Sequence, residues 1–399
     1  MKRLTLWLAW ALTLATAPMF AQSAVNLTES CVTAYDAAQD YFPDKAEVTT
    51  AENLQIEYFN HYKVITVSDA FDSATPLTYV LVQCGTPTPP EGDFPTGTQF
   101  IEVPTGDLIA MSTTHLPLVV DLGLLDHLIG LDSFLYVNTP QVLAKIEAGG
   151  LIEIGSGSGV NVEVTLEAAP SLVLTYGYNP DTDAHPVLRE AGIFTAIAAD
   201  WREASPLGRA EWIKFIAAFY NAEAAANAQY TNIETAYNNA RELAATIPVT
   251  ERPTILWNYY SPYGDDWSIP GAQTYIGALI ADAGGQVALG DLAPTDSVSL
   301  SFEAVYEAAL DADVWVTNAF GVNTLDDLLA QDPRYADFGA LAAGNVWNNS
   351  LVVNANGGNN YYELGAARPD LVLQDMVAIF HPDLLPDYEM MFHLRLTTP

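Results

Sequence analysis

The sequence predicts an α/β protein: two parallel-sheet sandwich lobes joined by one long rigid α-helix, with a ligand cleft between the lobes. Three observations predict it. From Gln99 onward short apolar runs alternate with helical stretches, the pattern of parallel strands linked by crossover helices. The longest helical stretch of the chain interrupts this alternation once, and the alternation resumes after Pro253. Finally, a helix that starts on a Glu and runs into a strand recurs in both halves.

Residues 1–24 open with Lys2 and Arg3. An apolar run from Leu4 to Phe20 follows, then small residues around Ala21, Ser23 and Ala24. This is the layout of a signal peptide cleaved on export to the periplasm. A membrane anchor is the competing reading, but the run is short and no second apolar stretch of spanning length follows. No cysteine stands at the cleavage point, so a lipid anchor has no support there.

Residues 25–98 form an N-terminal extension with apolar stretches at Leu54–Phe59, Val64–Val67 and Tyr79–Val82. It ends in the Pro-rich loop Thr86–Pro95. The two cysteines of the chain, Cys31 and Cys84, lie here. The oxidising compartment that an exported protein enters allows them to bridge.

The first lobe is expected over residues 99–221. Its strands are Phe100–Val103, Leu108–Met111, Leu128–Leu131, Leu172–Thr175 and Phe194–Ala198. Its helices are Leu116–Leu125, Gln141–Ala148 and His185–Ala191, the last two closed by glycines. Ser205 and Pro206 then read as an N-cap and first-turn pair opening the helical stretch Pro206–Ile247. A break near Asn221 leaves residues 222–246 as the interlobe helix, about 37 Å long at 1.5 Å per residue and stopped by Pro248. The second lobe, residues 247–399, is read as strands Thr254–Tyr259, Val314–Thr317 and Asn345–Val353, with helices Thr274–Asp282, Phe302–Ala309 and Asp370–Phe380.

Fourteen basic residues stand against 49 acidic ones, a net charge of -35. Nucleic acid needs clustered Lys and Arg, so it is excluded as a partner, and an anionic membrane surface is disfavoured. A strongly anionic ligand would need a local basic pocket, and few cations are available to build one. None of the six histidines pair at i, i+4, which disfavours capture of a bare metal ion. The nearest thing to a nucleophile elbow, Gly155-Ser-Gly-Ser-Gly159, lies in a loop before a helix, and no phosphate loop is present. A secreted hydrolase is therefore the weaker alternative, as is a scaffold with a degenerate cleft. No cofactor is expected, and the chain is expected to be a monomer.

In open α/β sheets ligands bind beyond the carboxyl ends of the strands. The candidates in the first lobe are Ser112, Thr113, Thr114, His115, Tyr136, Tyr176, Tyr178 and Trp201, with Arg202 as the basic residue at the cleft. In the second lobe they are Trp257, Tyr259, Tyr260, Tyr263, Trp267, Asn318 and Phe320. A loop from 354 to 363 adds Asn356, Asn360, Tyr361, Tyr362 and Glu363. Arg209 and Lys214 are expected to make local ion pairs with acids such as Glu211. A set rich in aromatics and amides suits a broad, rigid, near-neutral or cationic chelate.

The repeated unit is Gly159-Val-Asn-Val-Glu163 with Pro170-Ser-Leu-Val-Leu174, matched by Val298-Ser-Leu-Ser-Phe-Glu303 with Leu310-Asp-Ala-Asp-Val-Trp-Val316. An acid in a first helical turn is favoured by the helix dipole wherever it occurs; two in matching places suggest a symmetric docking surface. With Ser112-Thr-Thr-His115, Ser205-Pro-Leu-Gly-Arg-Ala-Glu-Trp-Ile-Lys214, Asn359-Asn-Tyr-Tyr-Glu363, Pro369-Asp-Leu-Val-Leu373 and His381-Pro-Asp-Leu-Leu-Pro386, these segments carry a resemblance. From about residue 99 to 397 the chain resembles the class III substrate-binding proteins of ABC importers, the group with cobalamin-, haem- and ferric-siderophore-binding members. The resemblance implies a periplasmic receptor, not an enzyme, that hands a metal chelate to a permease dimer, a ferric siderophore being favoured. It also implies that Glu163 and Glu303 dock on arginines of the permease. A minimal member of the group lacks residues 25–98.

Overall fold

The computed structural model describes residues 25–71, 75–261 and 264–398. The signal segment and Tyr263 lie outside the described residues.

The extension is a sheet of its own. Strands β1 (Leu54–Tyr58), β2 (Tyr62–Val67), β3 (Leu77–Gln83) and β4 (Gln99–Val103) lie in that order, antiparallel except for the parallel β3–β4 pair. One face alternates into the main core through Ile65, Val67, Tyr79, Leu81 and Val103. The expectation that residue 99 opens the first lobe is corrected here. The strand at Gln99 is the fourth of the extension, because its pairing partner is β3 and not a strand of the lobe. Cys31 and Cys84 are joined by a disulfide that ties the start of the extension to the end of β3. The cross-link spans 53 residues, a loop for which chain entropy alone gives about 4 kcal/mol. Replacing both cysteines with Ala is expected to lower the unfolding free energy by about 2–4 kcal/mol in a guanidinium titration. A loss under about 1 kcal/mol would mean that neighbouring contacts already hold this loop.

The first lobe runs β5 (Leu108–Ala110), α1 (Leu116–Asp121), β6 (Leu128–Leu131), α2 (Pro140–Glu147), β7 (Ile152–Glu153), α3 (Val162–Ala168), β8 (Leu172–Thr175), α4 (His185–Glu190) and β9 (Thr195–Ile197). The five strands form a parallel sheet in the order β7-β6-β5-β8-β9. The strand order reverses between β5 and β8, so a crevice opens at their carboxyl ends.

The helical stretch after Ser205 is three helices: α5 (Pro206–Ala210), α6 (Ile213–Tyr220) and α7 (Glu223–Ala244). The Ser205 hydroxyl caps α5 by accepting from the Gly208 N–H at 3.2 Å. Asn221, in the left-handed conformation, turns the chain between α6 and α7. Ala226, Tyr230, Ile233, Tyr237, Ala240 and Ala244 make one buried stripe along α7, alternating at steps of four and three. The 22 residues of α7 span about 33 Å.

The second lobe runs β10 (Thr254–Trp257), β11 (Tyr260–Ser261), β12 (Asp266–Pro270), α8 (Tyr275–Asp282), β13 (Gln286–Val287), β14 (Ser297–Leu300), α9 (Phe302–Ala309), β15 (Val314–Thr317), α10 (Leu325–Gln331), α11 (Gly339–Ala342), β16 (Val346–Asn348), α12 (Asn360–Ala367), α13 (Pro369–Phe380) and β17 (Leu394–Arg395). Its main sheet has the order β13-β10-β15-β16-β17, parallel except for β17. A small antiparallel sheet, β11-β12-β14, sits beside it. The two parallel-sheet lobes of the expected fold class are present. The α7 helix packs on α13, which follows the last cleft loop, and its Tyr237 hydroxyl donates to Asp282 of α8 at 2.7 Å. Among the described residues no helix is long and apolar enough to cross a membrane.

Candidate functional site

The crevice of the first lobe is lined by Ser112 and Thr114 after β5, Tyr176 and Tyr178 after β8, Asp200 and Trp201 after β9, and Arg209 of α5. It encloses about 240 Å³. Ser112 folds back on the turn that follows β5: its hydroxyl accepts from the Thr114 N–H and lies 2.8 Å from the Thr114 hydroxyl. The aromatic wall is Tyr176, Tyr178 and Trp201, all partly exposed, with the Tyr178 and Trp201 rings 6.0 Å apart. The Trp201 indole N–H is anchored on the Gly177 carbonyl at 3.0 Å.

The second lobe contributes a larger cavity, about 660 Å³. Asn318, Phe320 and Asn323 reach it from beyond β15, and Asn349, Ser350, Asn354, Asn359 and Tyr362 from beyond β16. Its side-chain chemistry is amide, hydroxyl and apolar, with no Lys, Arg, Asp or Glu in the lining among the described residues. Phe320 stands out from it at 77% exposure.

The lobes are latched at one edge. Asn354 donates its amide to the carbonyls of Leu135 (3.0 Å) and Val137 (3.1 Å) across the gap. The Glu363 carboxylate accepts from the N–H groups of Asn138 and Thr139, both at 2.7 Å, and from the Thr139 hydroxyl. A carboxylate at the start of α2 also meets the positive end of that helix. Gly358 passes so close to the other lobe that a Cβ there would lie 2.4 Å from the Tyr136 carbonyl oxygen.

Several sequence expectations are corrected. Glu363 is 1% exposed and fully used in the latch, so it faces no ligand. His115 is buried, neither ring nitrogen has a hydrogen-bond partner among the described residues, and burial pulls its pKa down to about 4, with Asp200 opposing. Tyr361 is buried against Phe392 and His393. Asn360 is not in the cavity lining; it opens α12, whose N-cap is Asn359, where a loop was expected. Trp267 is completely buried among Phe302, Trp315, Tyr335 and Phe338. Trp257 is 6% exposed, and its carbonyl accepts from the Trp267 indole at 2.8 Å. Tyr259 and Tyr260 pack on that same core, and the Tyr260 hydroxyl donates to Asp265. The small sheet turns Tyr259, Tyr260 and Trp267 onto the core of the second lobe, Trp257 ends β10 within the main core, and none of the four lines either cavity. Tyr136 lies exposed on the rim beside the latch.

The two arginines exchange the expected roles. Arg202 gives two hydrogen bonds to one Asp69 oxygen, at 3.1 and 2.9 Å. Arg209, expected to pair locally with Glu211, instead meets Asp200 at 3.0 Å in the cleft wall. Glu211 pairs with Lys214 at 2.7 Å, as expected for Lys214. The miss has a cause: Asp200 and Asp69 reach these guanidiniums only through the fold. The amides beyond Asn318 were also missed: Asn349 fell inside the expected strand Asn345–Val353, and in the loop that follows Asn356 and Asn360 were named where Asn354 and Asn359 line the cavity.

The proposed docking residues lie on the surface. Glu163 is exposed in the first turn of α3, which Asn161 caps. Glu303 is exposed in the first turn of α9, capped by Ser301, with Arg334 3.3 Å away. Among the described residues no group of three or more His, Cys, Asp or Glu could hold a metal ion.

Comparison with known proteins agrees with this geometry. Chains of similar architecture include the periplasmic heme-binding protein RhuT from Roseiflexus sp. RS-1 (TM-score 0.52, 22% identity, 70% of this chain and 99% of that one). A periplasmic heme-binding protein from Pseudomonas aeruginosa gives TM-score 0.53 at 17% identity, over 74% of this chain and 99% of that one. A sequence relative is the uncharacterized lipoprotein MJ0878 of Methanocaldococcus jannaschii, 27% identical over 335 residues, 82% of this chain and 77% of the relative. Residues 108–348, more than half of the chain, match the periplasmic binding protein family. With two parallel-sheet lobes bridged by a single helix and a cleft at their strand ends, the chain belongs to the periplasmic binding proteins, in their class III form, and is a binding protein and not an enzyme.

Proposed function

We propose that this protein is the receptor of an ABC importer for a near-neutral or cationic metal chelate, a ferric siderophore of the hydroxamate type being favoured. The observation that carries the reading is the charge of the cleft. Its one lining guanidinium among the described residues, Arg209, is already compensated by Asp200, and the cavity of the second lobe is lined by asparagine amides. Burying an anionic group without a free cation costs several kcal/mol, whereas amides satisfy neutral carbonyl and N–H groups at little cost. The aromatic wall supplies apolar area for the body of the chelate.

A corrinoid is the second reading, supported by the same amides, since a corrin carries an amide periphery. Both solved structures described above are named as heme-binding, but haem's two propionates call for cations that this lining does not offer unpaired. The test is a fluorescence titration with a cationic ferric trihydroxamate, cyanocobalamin, hemin and a ferric tricatecholate. The hydroxamate complex is expected to bind at least a hundredfold more tightly than the tricatecholate. Tightest binding of hemin or the tricatecholate would overturn the charge argument.

A further inference from the structure

The family match begins at residue 108, which leaves the extension sheet without an assigned role. We propose that the extension is a positioning element of the ligand cleft, in which Asp69 and Phe71 hold the Tyr176–Tyr178 turn and Trp201 in the geometry that receives ligand. The proposal rests on the cleft being the ligand site.

The extension is fixed to the lobe by buried charge. The N–H groups of Thr49, Thr50 and Ala51 donate to the Glu211 carboxylate, and those of Glu52 and Asn53 to Glu203. Glu203 also accepts from the Trp212 indole at 3.0 Å. Five consecutive backbone donors on two buried carboxylates leave this segment little freedom. The chain leaving β2 therefore arrives at a defined place, and that place is the back of the aromatic wall.

Both ends of the wall touch it. Gly177, between the two wall tyrosines, lies against the extension: a Cβ there would fall 2.8 Å from the Phe71 ring and 3.0 Å from the Ala70 carbonyl oxygen. The Phe71 ring also stacks on His185 of α4, centroids 5.0 Å apart. At the other end Asp69 fixes Arg202, whose guanidinium lies 5.1 Å from the centre of the Trp201 ring. The Trp201 indole then closes the circuit by donating to the Gly177 carbonyl. Tyr178 and Trp201 are thus set by contacts made behind them, on a segment none of whose described residues lines the pocket itself. A receptor without the extension would leave this turn and the indole to solvent on that side.

The experiment compares wild type with Asp69→Ala, Asp69→Glu and Phe71→Ala in the full chain. The near-ultraviolet signal of Trp201 is isolated by subtracting Trp201→Phe, and the probe for affinity is the ferric trihydroxamate complex. Asp69→Ala is expected to change the Trp201 signal and weaken the probe about tenfold, with the melting temperature nearly unchanged. Asp69→Glu restores most of both. An unaltered Trp201 signal in both Asp69→Ala and Phe71→Ala overturns the positioning role, whatever the probe does. If wild type binds no probe while the Trp201 signal still responds to Asp69→Ala, the positioning holds and the chelate reading falls instead.

Discussion

Replacing Lys63 with Met is expected to lower the unfolding free energy by about 3–5 kcal/mol, measured by denaturant titration. The Lys63 ammonium is completely buried under the extension sheet, and so is its partner, Glu223 at the start of α7. Its three donors are all used: on Glu223 at 2.5 Å, on the Ala218 carbonyl at 2.6 Å and on the Asn221 amide oxygen at 2.7 Å. The Phe42 ring lies 4.7 Å away. Burial pushes the lysine pKa down, with Glu223 opposing. Glu223 keeps Asn26 (2.7 Å) and Tyr58 (3.3 Å) as donors after the substitution, but neither carries charge, so an uncompensated carboxylate stays in the interior. That is the costly state; an apolar pair of similar volume is not. The double variant Lys63→Met, Glu223→Leu should therefore recover a large part of the loss. A single variant within about 1 kcal/mol of wild type would mean that water reaches this carboxylate.

Replacing both Glu163 and Glu303 with Ala is expected to abolish uptake in cells while leaving chelate affinity and melting temperature nearly unchanged. The two carboxylates occupy equivalent first turns, α3 in one lobe and α9 in the other, each helix capped by its own side chain, Asn161 or Ser301. Neither lines a cleft cavity, so ligand binding should not register their loss. Arg334 stands beside Glu303, and its guanidinium lies 3.6 Å from the centre of the Phe302 ring, which holds this acid more firmly than its counterpart. Two ion pairs made at once with a permease dimer strengthen each other through effective concentration. Each single variant should therefore retain partial transport. Full uptake by the double variant would remove the docking assignment without touching the receptor reading.

The sequence by itself determined the alternation of strands and helices in the two lobes, but not the short strands β7 and β13, the small sheet β11-β12-β14 or the helices α10, α11 and α12. The strands Leu172–Thr175 and Val314–Thr317 and the helix Phe302–Ala309 have the expected bounds, because apolar runs, caps and closing residues act within one or two turns of chain. Of the residues that the strand-end rule named, Thr114, Tyr176, Tyr178, Trp201 and Asn318 line the two cavities. Only the tertiary structure decided which way the remaining aromatics turn and which charges meet. Trp267 sits in an alternating segment that reads equally well facing out, and pairing with β14, some thirty residues on, turned it inward. Arg202 and Arg209 lie on one short stretch, yet one found Asp69 across 133 residues and the other Asp200 across nine. Glu363 looked like a ligand contact until Thr139, 224 residues away, claimed it. Propensity and periodicity are local properties of the chain. Burial and charge pairing depend on residues that become neighbours only after folding.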